Sequence, residues 1–338
     1  MRFAPPRNAR DMFQLLALYD RETGIDGLTK RIDFTDVRLH HLYRAMLGTS
    51  PASIDDIEPA AGFKQTLLGD AFRRGILKNL LDAFPEKRRV IFVHVPKCAG
   101  TDLSVALEQR FHTVIGTLDH PDSFTPEGLL LYLRNLVIAA PLVDTWFVRG
   151  HVPLRRYVSQ NLIRPTDQIF TVVRDPIDIL ISSINYRLTR FSTDPEGRAV
   201  DTRQWLKKLD LARFPDAPDQ AQIVHLATRM LADPGVIRPN ILCGSLGTTT
   251  AESAITYMTG SDIEVTDTSR YDRWLGSRWG LTTQRANTSR RFISRNELDA
   301  GLKARIEKMV TEDRELYQRI VERLDASGTV SIRGREMG

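Results

Sequence analysis

The stretch RRVIFVHVPKCAGTDLSVALEQR, residues 88–110, decides how the chain is read. Val90, Ile91, Phe92 and Val93 make an apolar, strand-forming run, residues 96–100 make a small turn carrying one lysine, and a helical pattern follows from Thr101. A strand that feeds a helix through a short turn sets backbone N–H groups and the positive end of the helix dipole at the carboxyl edge of the sheet. That arrangement suits an anion. Gly100 lets the backbone come close to a ligand, Thr101 offers a hydroxyl at the helix start, and Lys97 supplies a movable positive charge. A Walker A loop differs, because its lysine closes the pattern GxxxxGK[ST] and the next hydroxyl binds magnesium. Here the lysine comes first and no magnesium ligand follows it.

Working outward, the strongest further strands are TWFV (145–148) and QIFTVV (168–173), with a weaker one at HTVI (112–115). Helices are predicted from Thr101, from FTPEGLL with Pro126 in its first turn, and from Pro176. Strands alternating with helices argue for βαβ units, a parallel sheet and the α/β class. Before residue 85 only helical spacing is present, and FPEKRR reads as a boundary. The predicted organisation is a helical segment over 1–86, an α/β domain over 87–325 and a tail over 326–338. Beyond Asp201 the pattern is mostly helical, ending in a long helix announced by the capping box Ser294 and Glu297.

The chain has 338 residues and a formal charge of +5, a mild lean toward anionic ligands. Acidic residues are interspersed throughout, so nucleic acid is not indicated. Two cysteines, Cys98 and Cys243, make neither a disulfide framework nor a four-ligand zinc site, and point to a reducing compartment, the cytoplasm. The first residues contain early Arg and Asp without the apolar core of a signal peptide. The segment LLLYLRNLVIAAPLV from Leu129 is shorter than a bilayer requires and reads as a buried helix, so no transmembrane segment is expected.

A second motif, TVVRDPIDILISSINYRL, sets Arg174 just past a strand, Asp175 at a helix N-cap and Pro176 at the first helical position. Asp175, Asp178, Ser182 and Tyr186 then share one helical face, and an arginine fork with a hydroxyl suits a phosphate monoester. Between the motifs, WFVRGHVPLRRYV places His151 past the third strand, where an imidazole is a sensible proton acceptor. His94 has the plainer reading of a ring in the core or under the loop. Cys98 reads as a small turn filler.

HVPKCAGT resembles the 5′-phosphosulfate loop of sulfotransferases that use 3′-phosphoadenosine 5′-phosphosulfate (PAPS), most closely the carbohydrate branch with PKxAGT, which includes heparan and chondroitin sulfotransferases. RDPIDILIS is similar to that family's 3′-phosphate motif RDPxxRxxS, with Ile179 where the second arginine would stand. The GHV containing His151 is similar to the segment bearing the catalytic histidine in the uronic acid 2-O-sulfotransferases, and QRANTSRRFISRNEL resembles the stretch that closes over the nucleotide. The resemblance implies a three-layer, P-loop-like parallel sheet flanked by helices. It assigns the 5′-phosphosulfate to Lys97 and the amides of Cys98, Ala99, Gly100 and Thr101, and the 3′-phosphate to Arg174 and Ser182. Thr288, Ser289 and Arg291 become further nucleotide contacts, and Lys97 and His151 become catalytic, His151 as base.

No metal is implied. The implied acceptor is a hydroxyl of a glycan or glycolipid, which Arg149, Arg155, Arg156, Arg187 and Arg190 flank and would receive if acidic. The helices before residue 85 are candidates for a homodimer contact, for shaping the acceptor cleft or for covering the sheet. Two departures are Ile179 and Asp102, whose carboxylate is expected to turn away from the nucleotide. They leave open a catalytically altered nucleotide-binding protein. A P-loop kinase or NTPase shares the fold but requires a lysine followed by Ser or Thr.

Overall fold

Strand β1 (Arg88–Val93) begins with an exposed Arg88 and continues into Arg89, Val90, Ile91, Phe92 and Val93, all of them almost fully buried. A near-continuous apolar run of this kind is what a strand covered on both faces requires. The computed structural model describes residues 88–115, 145–159, 161–283, 290–324 and 329–332. The helices expected before residue 85, the helix opened by FTPEGLL and the apolar segment from Leu129 lie outside those residues.

After β1 the described chain runs α1 (Gly100–Glu108), β2 (His112–Ile115), β3 (Thr145–Gly150), α2 (Leu154–Ser159), β4 (Gln168–Val173) and α3 (Pro176–Thr193). It continues with α4 (Val200–Lys208), α5 (Gln220–Ala232), α6 (Ile241–Leu246), α7 (Ala251–Thr259), β5 (Ile263–Asp267) and α8 (Tyr271–Trp279). A 3-10 turn (Arg295–Glu297), α9 (Ala300–Met309), α10 (Thr311–Val321) and β6 (Thr329–Ile332) complete it. The six strands form one sheet in the order β2-β3-β1-β4-β5-β6. The fold is α/β, with parallel pairing of β2 with β3 and of β4 with β5, and antiparallel pairing of β5 with β6.

The chain divides into two compact units, and β1 passes from the first into the second. In the first unit, β2 and β3 pair through His112↔Trp146 and Thr113↔Phe147, with a register shift before Ile115↔Val148. Trp146, Phe147 and Val148 are fully buried. So is Arg89, whose Nε donates to Asp167 Oδ1 at 2.7 Å and whose second guanidinium nitrogen donates to the Leu162 carbonyl at 2.8 Å. Asp167 also accepts the Arg164 N–H at 2.8 Å. A buried ion pair of this kind ties the start of β1 to the loop before β4.

In the second unit, β4 and β5 pair from Phe170↔Glu264 to Val173↔Asp267. Helix α3 is the spine of the core: Ile177, Leu180, Ile181, Ile184, Leu188 and Phe191 recur at helical spacing and pack with residues of α4, α5 and α9. Its start follows the sequence reading. Asp175 is the N-cap, accepting the Ile177 N–H at 2.9 Å, and Pro176 fills the first position, where a missing N–H costs nothing.

The long closing helix predicted from Ser294 is replaced by three pieces. The capping box is present, but it closes only the 3-10 turn; Leu298 is extended, and Asp299 caps a new helix through the Leu302 N–H at 2.7 Å. A second break at Val310 starts α10, where the buried Asp313 carboxylate accepts the N–H groups of Leu242 at 2.9 Å and Cys243 at 2.7 Å. Those amides open α6, so α10 is a clamp on a helix N-terminus. Residues 329–332, read from sequence as part of a tail, form β6 against β5. Among the described residues no helix is long and apolar enough to cross a membrane.

Candidate functional site

The turn after β1 is held in an unusual backbone. Lys97 has φ 67° and Ala99 has φ 56°, while the other described residues with positive φ are Asn, Asp or Gly, which tolerate that region. Each such residue costs on the order of 1–2 kcal/mol for a side chain with an ordinary Cβ. Left-handed residues alternating with others turn successive N–H groups toward one side, as in anion-binding nests. Ala99 sits at the N-cap of α1 with no side-chain cap, so the first turn of that helix depends on other partners. The Cys98 N–H is turned inward and donates to the Val95 carbonyl at 3.3 Å. The Cys98 thiol is fully buried, and burial pushes its pKa well above the usual thiol range, which suits a space-filling role.

Beside this turn lies the carboxyl end of β4. Arg174 donates through NH1 to the Lys97 carbonyl at 3.3 Å, so the two motif residues recognised from sequence meet directly. The Lys97 side chain runs to α3, where Nζ stands 3.9 Å from the centre of the Tyr186 ring. Ser182 and Asp178 lie on the same partly exposed face of α3 one and two turns earlier, whereas Ile179 is fully buried. Next along the helix, Arg187 donates to the Ser183 carbonyl at 3.1 Å and lies over the Trp205 ring at 4.8 Å, and its Nε is buried with no hydrogen-bond partner.

Among the described residues, Lys97, Arg174, Arg187 and Arg190 form no ion pair with any carboxylate. The consequence is visible in Lys97. Burial first, then the charges of Arg187 and Arg174, lower its pKa from 10.5 to about 8. Arg187 is itself lowered to about 10 by burial. Two acidic groups at the neighbouring strand ends have partners of their own: Asp175 caps α3 and pairs with Arg295 at 3.2 Å, and Asp267 accepts the Tyr317 hydroxyl at 2.7 Å. A positive cluster that meets no carboxylate partner among the described residues has the chemistry of an anion site.

His151 enters from the other direction. Its Nδ1 lies 3.1 Å from the His94 carbonyl, and a carbonyl oxygen can only accept, so Nδ1 carries a proton and, in the neutral ring, Nε2 carries the lone pair. The His94 and His151 rings stack with centroids 3.9 Å apart. His94 therefore sits under the loop, one of its two predicted places.

The structure thus gathers Lys97, Gly100, Arg174, Ser182 and His151 around one strand end and one helix face. Asp102 lies partly buried in the first turn of α1, where a carboxylate suits the helix dipole. Thr288 and Ser289 lie outside the described residues. Arg291 is exposed, and the residues after it are fixed to α3: Asn185 Oδ1 accepts the N–H groups of Phe292 and Ile293, each at 2.9 Å, and its Nδ2 donates to the Ile293 carbonyl at 2.8 Å. Sequence reasoning missed Asn185, a buried polar residue on an otherwise apolar helix face. Arg187, read from sequence as one of the arginines flanking the site, lies close enough to Lys97 for its charge to act on it.

Among the described residues, no group of three or more His, Cys, Asp or Glu side chains is placed to hold a metal ion. No family model, no curated protein and no solved structure matches the chain.

Proposed function

We propose that the protein is a PAPS-dependent sulfotransferase with a P-loop-like α/β domain, moving a sulfuryl group to a hydroxyl of a glycan or glycolipid. The observation that carries this reading is the cation cluster of Lys97, Arg174 and Arg187, packed with no carboxylate partner among the described residues beside the carboxyl end of β1 and the N-terminus of α1. PAPS fits it, since its phosphosulfate and 3′-phosphate are anions that such a cluster would neutralise; when bound it supplies the activated sulfuryl group. Gly100 and Thr101 with Lys97 receive the phosphosulfate end, and Arg174 with Ser182 receives the 3′-phosphate. Arg187, further along α3, adds its positive charge beside Lys97.

His151 holds a lone pair on Nε2 and accepts the proton of the acceptor hydroxyl as its oxygen bonds to sulfur and the sulfur–oxygen bond to the nucleotide breaks. Lys97 as a cation offsets the charge that grows on the departing phosphate oxygen. The buried thiols of Cys98 and Cys243 suit a reducing, cytoplasmic setting.

The test is incubation with sulfur-labelled PAPS and a panel of glycans, phenols and small alcohols, with Lys97→Ala and His151→Ala alongside. Both variants lose transfer, and His151→Ala keeps nucleotide binding. Undiminished turnover in His151→Ala removes its role as base. A second reading, a nucleotide-binding protein without transfer, is favoured by the burial of Ile179 in the core, and adenosine 3′,5′-bisphosphate binding without turnover would establish it. ATP hydrolysis stimulated by magnesium would instead favour a P-loop kinase or NTPase.

A further inference from the structure

One side chain touches both halves of this site. His94 follows β1, and its imidazole stacks on that of His151 with centroids 3.9 Å apart and planes 30° apart. It is also stacked on Phe92 at 5.2 Å, which anchors it to the core below. A methyl group placed on Gly100 would fall 1.7 Å from His94 Nε2 and 2.2 Å from Cδ2. Gly100 is not in the left-handed region, so its lack of a side chain is explained by this ring and not by backbone freedom. The ring therefore fills the space beneath the first residue of α1. The His94 main chain does a further job, accepting the His151 Nδ1–H at 3.1 Å.

We infer that His94 is a positioning residue that links the anion loop to His151, one ring setting both the seat of α1 and the orientation and tautomer of the base. The inference rests on the reading of His151 as proton acceptor. Its physical basis is steric. A face-stacked imidazole cannot rotate about its side-chain torsions without displacing its neighbour, and the neighbour here is locked between Phe92 and Gly100. Misplacing a reacting group by about 1 Å can cost about 100-fold in rate.

The experiment is long-range proton–nitrogen NMR on protein labelled with 15N-histidine, combined with kinetics, for wild type, His94→Ala, His94→Leu and His94→Phe. In the wild type, neutral His151 is the Nδ1–H tautomer. In His94→Ala the ring is released, the tautomer becomes mixed, and kcat falls about 100-fold, by a larger factor than the donor KM rises. All three variants keep the main-chain carbonyl; His94→Phe also keeps a flat ring, and recovers the single tautomer and most of kcat, while His94→Leu fills volume without a flat face and recovers less. An Nε2–H tautomer in the wild type, or an unchanged tautomer and titration midpoint for His151 in a folded His94→Ala, overturns the inference. The spectra need no turnover. Absence of transfer in every protein would count against the sulfotransferase reading, while the link between His94 and His151 would stand or fall on the spectra.

Discussion

Replacing Lys97 with methionine should make the protein more stable at neutral pH. Folding buries this ammonium beside Arg187 and Arg174, and its pKa drops from 10.5 to about 8. At about 1.4 kcal/mol per pH unit, that gap costs the folded state about 3 kcal/mol wherever the lysine is charged in both states. Methionine has similar length and no charge, so it removes the cost. It also removes the contact of Nζ with the Tyr186 ring, which in a desolvated setting contributes about 2 kcal/mol. A net gain of about 1 kcal/mol remains at pH 7. The sign fixes the pH profile. Between pH 8 and 10.5 the unfolded chain holds the proton that the folded chain has released, so the wild type gains stability across this window. The advantage of the variant is therefore full below pH 8 and fades above it. Urea unfolding of both proteins at pH 7 and pH 10 measures this, with other titrations cancelling in the difference. A variant that is less stable at pH 7, or a difference that does not shrink at pH 10, refutes the reasoning that Lys97 is held charged at a cost for the sake of a ligand.

Asp167→Ala strands the buried Arg89 guanidinium and is expected to cost about 3 to 5 kcal/mol in urea unfolding, while replacing both residues with apolar ones of similar volume costs far less. Gly100→Ala forces a methyl into the His94 ring and should abolish binding of adenosine 3′,5′-bisphosphate; adding His94→Ala opens that space and should restore part of it, as titration calorimetry would show. Asn185→Ala leaves the Phe292 and Ile293 groups without their partner on α3, and a loss of about 1 to 3 kcal/mol is expected, with faster hydrogen exchange at those two amides than elsewhere in the core.

What could be read in the sequence followed burial. Strands β1, β3 and β4 are dominated by apolar or aromatic residues because both of their faces are covered, and that leaves a plain signal. Strand β5 reads IEVTD and β6 reads TVSI; they are short and partly polar, and they owe their form to pairing, β5 with both β4 and β6 and β6 with β5. The Ser294 capping box was a correct local pattern attached to the wrong element, because nothing local forecasts the extended Leu298 that ends the turn. In the site, the Lys97 turn and the capped start of α3 were legible because helix termini have strict local chemistry. The meeting of Lys97 with Tyr186 and Arg187, and of His94 with His151, joins residues far apart in the chain, and no short-range pattern encodes it.

The central claim is that the cation cluster beside β1 seats a nucleotide with two anionic groups without help from a metal. Titration calorimetry with adenosine 3′,5′-bisphosphate in buffer containing a chelator tests it directly, on the wild type, Lys97→Met and Arg174→Met. The account predicts one site in the wild type and binding at least about tenfold weaker in each variant, as loss of one charge-assisted contact of about 1.5 kcal/mol or more implies. No binding in the wild type, or equal binding in all three, would contradict it.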